Sequence, residues 1–595
     1  MALSKETAKF PPGIVVSAAI DLGTTFSGYA FAFRDDPFRI FASTWHSRTT
    51  ANLIAYKAPT TVLLRPNGEF EAFGLEAEEK YSLLTDEDTQ YGWYFVQNFK
   101  MELYRQEKLS RETKLKDIEG KEISAMKIFT LVIKYLRENL TDEVRRSKTH
   151  IEDHEIFWVL TVPAIWSDAA KQFMREAATN AGITTTQLKL VLEPEAASLF
   201  GQATYTQRDV QAGGITELKH FCPGQKYILA DLGGGTADIA THETLPDGNL
   251  REIFRATGDE LGGNRVNFAF LTFLENLVGK EVMDHFKNTA RGDYLDFVRE
   301  FEMKKGRIGA DEPVSMILKV PPSFSESLLY KRHVTLKQCI TEEKLAKVIE
   351  EKRGKITLKH ELVSVFFREP VNEIIKKLRE IIQSEKFEID TLLLVGGFSD
   401  SPFVRESVIR ELRADFRRLD IVKPEQASLH VLKGAVLTIL KPNHISERIS
   451  RFSYGFRVAE PFNEEVHPAG LRERRRSGLE YCSDIFHKCI EVGQCLKYGE
   501  KIKIEFSGNR NEVGSKQEPC STELYRSSEA DPKYCIPDEG CERVGKMVHH
   551  PPRGGWGNIV MFTAEIEIGE SEFKISVINA TTQEVYETTV DFLDD

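Results

Sequence analysis

Asp21-Leu22-Gly23-Thr24-Thr25, and later Asp231-Leu232-Gly233-Gly234-Gly235-Thr236 with Asp238 close behind, are the stretches whose reading decides the fold. Each follows an apolar run that reads as a strand, Ile14 to Ile20 before the first and Tyr227 to Ala230 before the second. Glycines let a backbone turn tightly and come close to a phosphate, with N–H groups pointing at it. Threonine hydroxyls add donors, and an aspartate offers oxygen to the water shell of a divalent cation. Either loop alone reads equally well as a strand ending in a hairpin turn. A shared Asp-Leu-Gly start with threonine downstream, in two copies, favours a pair of loops that clamp the β- and γ-phosphates of a nucleotide from opposite sides.

A third stretch, Leu392-Leu393-Leu394-Val395-Gly396-Gly397-Phe398, is another strand running into a double glycine, with Pro402 placed to open a helix. Its bare backbone suits a flat ligand such as an adenosine, and a plain strand–helix turn explains it as well. No G-x-x-x-x-G-K-[ST] loop occurs, and no G-x-G-x-x-G follows a strand, which excludes a P-loop protein and argues against a dinucleotide fold.

Outward from these motifs, apolar stripes at helical spacing alternate with short β-rich runs to about residue 440, an α/β pattern. Ala125, Ile128, Phe129, Val132 and Leu136 share one helical face. Ala170, Phe173, Met174, Ala177, Ala178 and Ala181 share another, with Ser167 as N-cap and Gly182 as stop. Val371, Ile374, Ile375, Leu378 and Ile382 predict a helix beginning at Pro370. Strands are predicted at Ile156–Val162, Leu188–Leu192 and Leu392–Val395. After Pro442 the helical period gives way to alternation: Phe562, Ala564, Ile566 and Ile568 interleave with Thr563, Glu565 and Glu567, and Phe573, Ile575 and Val577 resume after Gly569. Two domains follow, residues 14–445 and an all-β module over residues 450–595.

Across its 595 residues the chain carries a net charge of −12, which argues against generic nucleic-acid binding because a phosphate backbone rewards a basic face. Arg472, Arg474, Arg475 and Arg476 form one basic run, read as a solvated loop ahead of a partner patch. No 18-residue apolar run and no signal-peptide core is present, so the expectation is a cytoplasmic or nuclear protein without a membrane span. Eight cysteines, six of them between Cys482 and Cys541, contain no C-x-x-C pair; buried thiols, a redox-sensitive cluster and a zinc site all remain open.

The order of these motifs resembles the heat shock 70 kDa protein family, within the actin and sugar-kinase ATPase superfamily. DLGTTFSGYAF is similar to its first phosphate loop, and LTVPAIWSDAAKQFMREAATNAG with LVLEPEAAS to its connecting segment. DLGGGTADIA is similar to its second phosphate loop and LLLVGGFSDSP to its adenosine loop. ELYRSSEADPKYCIPDEGCERVGKM and the stretch after it are similar to the substrate-binding β-sandwich. WSDAA, EPEAAS and RFSYGFRVAEPFNEEVHP mark a divergent branch. The resemblance covers about residues 14–595. It implies two duplicated lobes of an actin/sugar-kinase-like ATPase followed by an antiparallel β-sandwich.

The resemblance also implies the site. Asp21 and Asp231 would hold Mg2+ through its waters, with Lys100 at the catalytic lysine and Glu193 or Asp231 orienting the attacking water. ATP or ADP would contact Gly23, Thr24, Thr25, Phe26, Gly233, Gly234, Gly235, Thr236, Gly262, Gly263, Glu302, Lys305, Gly396 and Gly397, Thr236 serving catalysis too. Departures stand beside the matches. Leu261 to Asn267 lacks the two acids of the family segment, and Gly306 and Asp400 stand where the family carries arginines at adenine, so nucleotide affinity is expected to be weaker or altered. The apolar-acidic linker is not visible in His444 to Arg451, and no helical lid or co-chaperone tail motif follows the last predicted strand. Three functions compete: an ATP-hydrolysing chaperone-like protein holding extended polypeptide or a protein partner on its β-sandwich, a nucleotide-gated scaffold or adaptor with little turnover, and a small-molecule kinase. The β-sandwich and EPEAAS argue against the last.

Overall fold

Strand Val16–Asp21 is buried at every position, the pattern of a strand covered on both faces. It lies at the centre of a sheet in a computed structural model of the chain. The described residues are 10–46, 54–87, 89–106, 108–148, 150–208, 221–311, 313–384, 388–475, 478–510, 514–569, 573–580 and 585–587. The chain forms two units: Met1–Glu107, Arg111–Gly248 and Ala256–Pro442 in one, and Lys108–Ser110, Asn249–Arg255 and Asn443–Asp595 in the other.

Two sheets of the first unit repeat one plan. The first runs Leu188–Leu192, Ile156–Val162, Val16–Asp21, Phe26–Phe33, Asp36–Ala42. Its first two pairings are parallel and its last two antiparallel. The second runs Asp420–Val422, Thr391–Val395, Lys226–Leu232, Ala237–Thr244, then Leu250–Asp259, of which residues 256–259 fall in this unit. Its first two pairings are again parallel and the third antiparallel. The register repeats as well. Asp21 pairs with Gly28 across the turn, and Asp231 pairs with Asp238, each partner seven positions on.

Helices cover these sheets with the apolar faces read above. Ala125–Ser147 starts where Ser124 accepts a hydrogen bond from the Lys127 amide, and buries Ile128, Phe129, Val132, Ile133 and Leu136. Each such side chain contributes roughly 1.5–3 kcal/mol on burial. Asp168–Asn180 is capped by Ser167 and followed by Gly182 at φ 89°, the left-handed C-terminal stop that favours glycine. His430–Leu437 packs on the first sheet, where Ser17 Oγ donates to the Val436 carbonyl at 2.8 Å.

One helix departs from the sequence reading. It spans His360–Ile382 with Pro370 inside it, not at its start. Leu362, Val363, Phe366 and Phe367 before the proline, and Val371, Ile374, Ile375 and Leu378 after it, form one continuous buried stripe. Burial of that stripe outweighs the roughly 3 kcal/mol a helix loses at an internal proline.

The second unit contains two antiparallel sheets. One runs Arg472–Arg474, Glu480–Ile490, Ser453–Pro461, Cys520–Ser527, Cys541–His549; the other runs Lys501–Asn509, Ile559–Ile568, Phe573–Asn579, Val585–Glu587. In Ile559–Ile568 the side chains of Val560, Phe562, Ala564, Ile566 and Ile568 are buried in turn. They share a core with Tyr454, Phe456, Ile490, Leu524 and Met547 of the other sheet. Tyr454 meets Phe573 edge-on, ring centroids 5.1 Å apart. The basic run is partly spent on rings: Arg472 lies over Phe462 and Arg475 over Tyr481, while Arg476 lies outside the described residues. Cys482, Cys535 and Cys541 are buried, and burial pushes the half-buried Cys489 thiol up to about 12. Among the described residues no group of three or more His, Cys, Asp or Glu could hold a metal ion, and no helix is long and apolar enough to cross a membrane.

Candidate nucleotide site

Both Asp-Leu-Gly turns leave the end of a central strand and return along its antiparallel neighbour. In the first, a Cβ on Gly23 would stand 2.2 Å from the Phe26 carbonyl oxygen, so only glycine fits the turn. In the second, the Gly233 amide donates to the Thr236 carbonyl at 2.8 Å. The loops then meet. A Cβ on Gly235 would stand 2.5 Å from Thr24 Oγ1, and Gly234 bears in the same way on Thr25.

Residues 262–264 hold the second loop from behind. The amides of Gly263, Asn264 and Gly262 donate to the carbonyls of Gly233, Gly234 and Gly235 at 3.1, 2.8 and 3.1 Å. In a trans peptide the carbonyl and the following N–H point in opposite directions. The N–H groups of Gly234, Gly235 and Thr236 therefore point away from residues 262–264, as a cradle for an anion requires. A Cβ on Gly262 would lie 2.4 Å from the Gly234 oxygen, which accounts for the glycine there.

The third motif closes on the second. Gly396 has φ 84°, and a Cβ on it would stand 2.4 Å from Asp231 Oδ1. The Phe398 amide donates to the Leu232 carbonyl at 2.8 Å, and Ser399 Oγ donates back to the Gly396 carbonyl at 2.7 Å.

Charge is concentrated between the loops. Lys100 sits in the short 3-10 turn Phe99–Met101, and Glu193 opens the helix Glu193–Arg208. Lys100 Nζ donates to Glu193 Oε1 at 2.6 Å, with the Lys100 side chain only 3% exposed. Lys57 Nζ donates to Asp21 Oδ2 at 2.6 Å, and Thr161 Oγ1 donates to Asp21 Oδ1 at 2.9 Å. Burial works against charge on Asp21, yet the Lys57 and Lys100 ammonium groups, with the bonds from Lys57 and Thr161, hold its carboxyl below the usual range. Burial raises Glu193, with Lys100 offsetting it only in part. Burial, reinforced by Glu193, Asp238 and Asp21, holds Asp231 well above the usual carboxylate range.

These groups line one cavity of about 430 Å³, a size suited to a small ligand. Of the residues singled out from sequence, it brings together Asp21, Gly23 through Phe26, Lys100, Glu193, Asp231, Gly233 through Thr236, Gly396 and Gly397. Gly262, Gly263, Glu302 and Lys305 are not part of its lining. Lys305 Nζ spends its three donors on the Gly263 carbonyl at 2.7 Å, Asn267 Oδ1 at 2.8 Å and Glu302 Oε2 at 2.5 Å. Burial lowers the Lys305 ammonium, Glu302 opposing it. Asp400 does line the cavity and pairs with Lys423 at 2.7 Å, and Gly306 caps the helix Arg291–Lys305.

Lys57 and Thr161 were not singled out by the sequence reading. Both reach Asp21 from segments remote in sequence, and no spacing rule links them to it. The cradle fits the phosphates of a nucleotide. For a hydrated divalent ion the fit is partial, since both oxygens of Asp21 are engaged and Asp231 is the carboxylate left to its waters.

The family model for Hsp70 protein matches residues 17–295. Heat shock 70 kDa protein 12A of Mus musculus and that of Homo sapiens are each 29% identical to the chain, over 97% of it and 92% of the relative. Heat shock 70 kDa protein 12B of Homo sapiens is 28% identical over 97% of the chain and 91% of the relative.

Proposed function

We propose that this chain, which belongs to a divergent branch of the heat shock 70 kDa protein family, binds ATP and ADP between its two phosphate loops and hydrolyses ATP slowly. The observation that carries the reading is the second loop's backbone. Its carbonyls are taken by residues 262–264, so its amides point away from them, and its glycines pack against Thr24 and Thr25. The nucleotide-binding domain would be residues 14–445, and residues 450–595 would form a β-sandwich.

In the reaction ATP + H2O → ADP + phosphate, the protein's work is placement and electrostatics. The amides of Gly234, Gly235 and Thr236 and the hydroxyl of Thr24 hold the phosphates, joined by the Thr25 hydroxyl once it leaves Asn264 Oδ1. Lys100 offsets charge developing on the transferred phosphoryl oxygens, and Glu193 or Asp231 orients the water. Mg2+, which the family uses with its nucleotide, would neutralise phosphate charge. Calorimetric titration of the full chain with ATP and ADP, with phosphate release measured in parallel, tests this reading. No binding at millimolar nucleotide would overturn it.

A second reading, a nucleotide-gated scaffold with little turnover, is favoured by the Lys100–Glu193 pair. The Lys100 ammonium, 2.6 Å from Glu193 Oε1, occupies the oxygen that would otherwise orient a water. Nucleotide binding without phosphate release in a single turnover would select it. In either case the two-sheet unit would engage an extended polypeptide or protein partner through main-chain pairing and side-chain pockets. The exposed apolar side chains of Val548, Ile559 and Met561 on its strands support that role. Fluorescence anisotropy of a labelled apolar peptide measures it.

A further inference from the structure

Lys57 is set beside Asp21 by backbone, not by chance of rotamer. It lies between the short strands Ile54–Ala55 and Ala58–Pro59, and the second of these pairs with the strand leaving the first phosphate loop, Ala58 opposite Ser27 and Pro59 opposite Phe26. The residue facing Asp21 across the ladder is Gly28. A Cβ there would stand 3.1 Å from Lys57 Cγ and 3.0 Å from the Tyr56 carbonyl oxygen. The missing side chain at position 28 is what lets the lysine stem cross the strand and bring its ammonium 2.6 Å from Asp21 Oδ2. Thr161 takes the other oxygen at 2.9 Å.

Lys57 lines the cavity with the phosphate loops, and its side chain is 18% exposed. A nucleotide's phosphates are a polyanion, and a divalent ion commonly bridges them to a carboxylate through water. Here Asp21, the carboxylate that opens the first loop, already carries a cation. The second lysine of the cavity, Lys100, is paired with Glu193.

We propose that Lys57 is a built-in counter-cation for the phosphates, so that nucleotide binds this chain nearly as well without a divalent ion as with one. The inference rests on the nucleotide reading above. Lys57 is a binding residue here: its ammonium bridges Asp21 and a phosphate oxygen, the place a water-shelled ion would otherwise fill.

The test is calorimetric titration of the full chain with ADP and with a slowly hydrolysed ATP analogue, in excess EDTA and in excess Mg2+. For the native chain the two affinities are expected to agree within about threefold, less than the tenfold that corresponds to ~1.4 kcal/mol. Lys57→Met should open the gap to about tenfold or more, by weakening binding in EDTA, and Lys57→Arg should keep it small. A native chain that loses about tenfold or more in EDTA overturns the proposal, whatever the variants do. So does a Lys57→Met protein, folded by its melting curve, that stays indifferent to Mg2+. Binding with Mg2+ alone would leave the nucleotide reading standing while removing this one; binding in neither buffer removes both.

Discussion

A Cβ placed on Gly234 would stand 2.1 Å from Oγ1 of Thr25 and 2.7 Å from its Cβ. The two loops are therefore packed against each other through a glycine face, with no room for a side chain between them. Thr25 is itself held, its hydroxyl donating to Asn264 Oδ1 at 3.2 Å. Gly234→Asp must push the loops apart and bring a negative charge beside the amides proposed to hold phosphate. We expect nucleotide affinity to fall by a hundredfold or so, about 2.7 kcal/mol, with the fold retained. Titration calorimetry beside a melting curve checks both halves.

The Lys100–Glu193 pair makes a separate prediction. Both side chains are buried, so removing one partner leaves the other uncompensated at a cost of about 3–5 kcal/mol. Lys100→Met should be the more destabilised variant, and Lys100→Met/Glu193→Gln should recover much of the loss, because no unpaired charge remains. Both should lose phosphate release by roughly a hundredfold, as when an oxyanion donor is removed. Equal denaturation midpoints for the single and double variants would show that the pair carries no coupling.

How much of this was legible in the sequence depends on how far apart the determining contacts lie. Strands Ile156–Val162 and Leu188–Leu192, the Ser167 cap and the alternation through Phe562 to Ile568 are local patterns, and the structure has them at those residues. Pro370 misled because proline is a strong signal for a first helical turn. The stripe of Leu362, Val363, Phe366 and Phe367 continues the same face upstream of it. Lys57 was not legible, since its meaning depends on Gly28 opposite Asp21, a register seen only once the strands pair. Lys305 read as an open ligand contact; its partners Gly263 and Asn267 come from another helix and close it off.

Adenine recognition can be tested at Gly306. It caps its helix at φ −66° and ψ −7°, a conformation open to any residue, and a Cβ there would meet nothing nearer than the Met303 carbonyl at 3.9 Å. Gly306→Arg should therefore fold as the native chain does. A guanidinium stacking on the base should tighten ATP by roughly threefold to tenfold, the range of a cation–π contact of about 0.5–1.5 kcal/mol, and should raise discrimination against GTP. Competition titration of the two nucleotides reads the change. An unaltered ratio with unaltered affinity would show that the base does not lie against this helix end.

The last prediction concerns Asp231 and pH. Burial, with Glu193, Asp238 and Asp21 nearby, holds its carboxyl well above the ordinary 3.8. The folded chain thus keeps a proton that the unfolded chain has released. Stability rises with pH where the unfolded state binds more protons, and here it binds fewer. The contribution of Asp231 is therefore complete below the unfolded value and is lost as pH rises through the folded one. Asp231→Asn removes the titrating group while keeping its shape. The unliganded variant should melt above the native protein at about pH 8, by roughly 1 °C for each kcal/mol recovered, and the gap should close towards about pH 5. Glu193, raised in the same direction by burial, also acts on Asp231, so the difference between the two proteins reports the titration of the pair. The same variant should gain less melting temperature from added nucleotide, because a carboxyl group that helps place the water has gone. Parallel melting curves for the two proteins across this pH range would mean that Asp231 ionises normally in the fold and that the cavity is wetter than its burial implies.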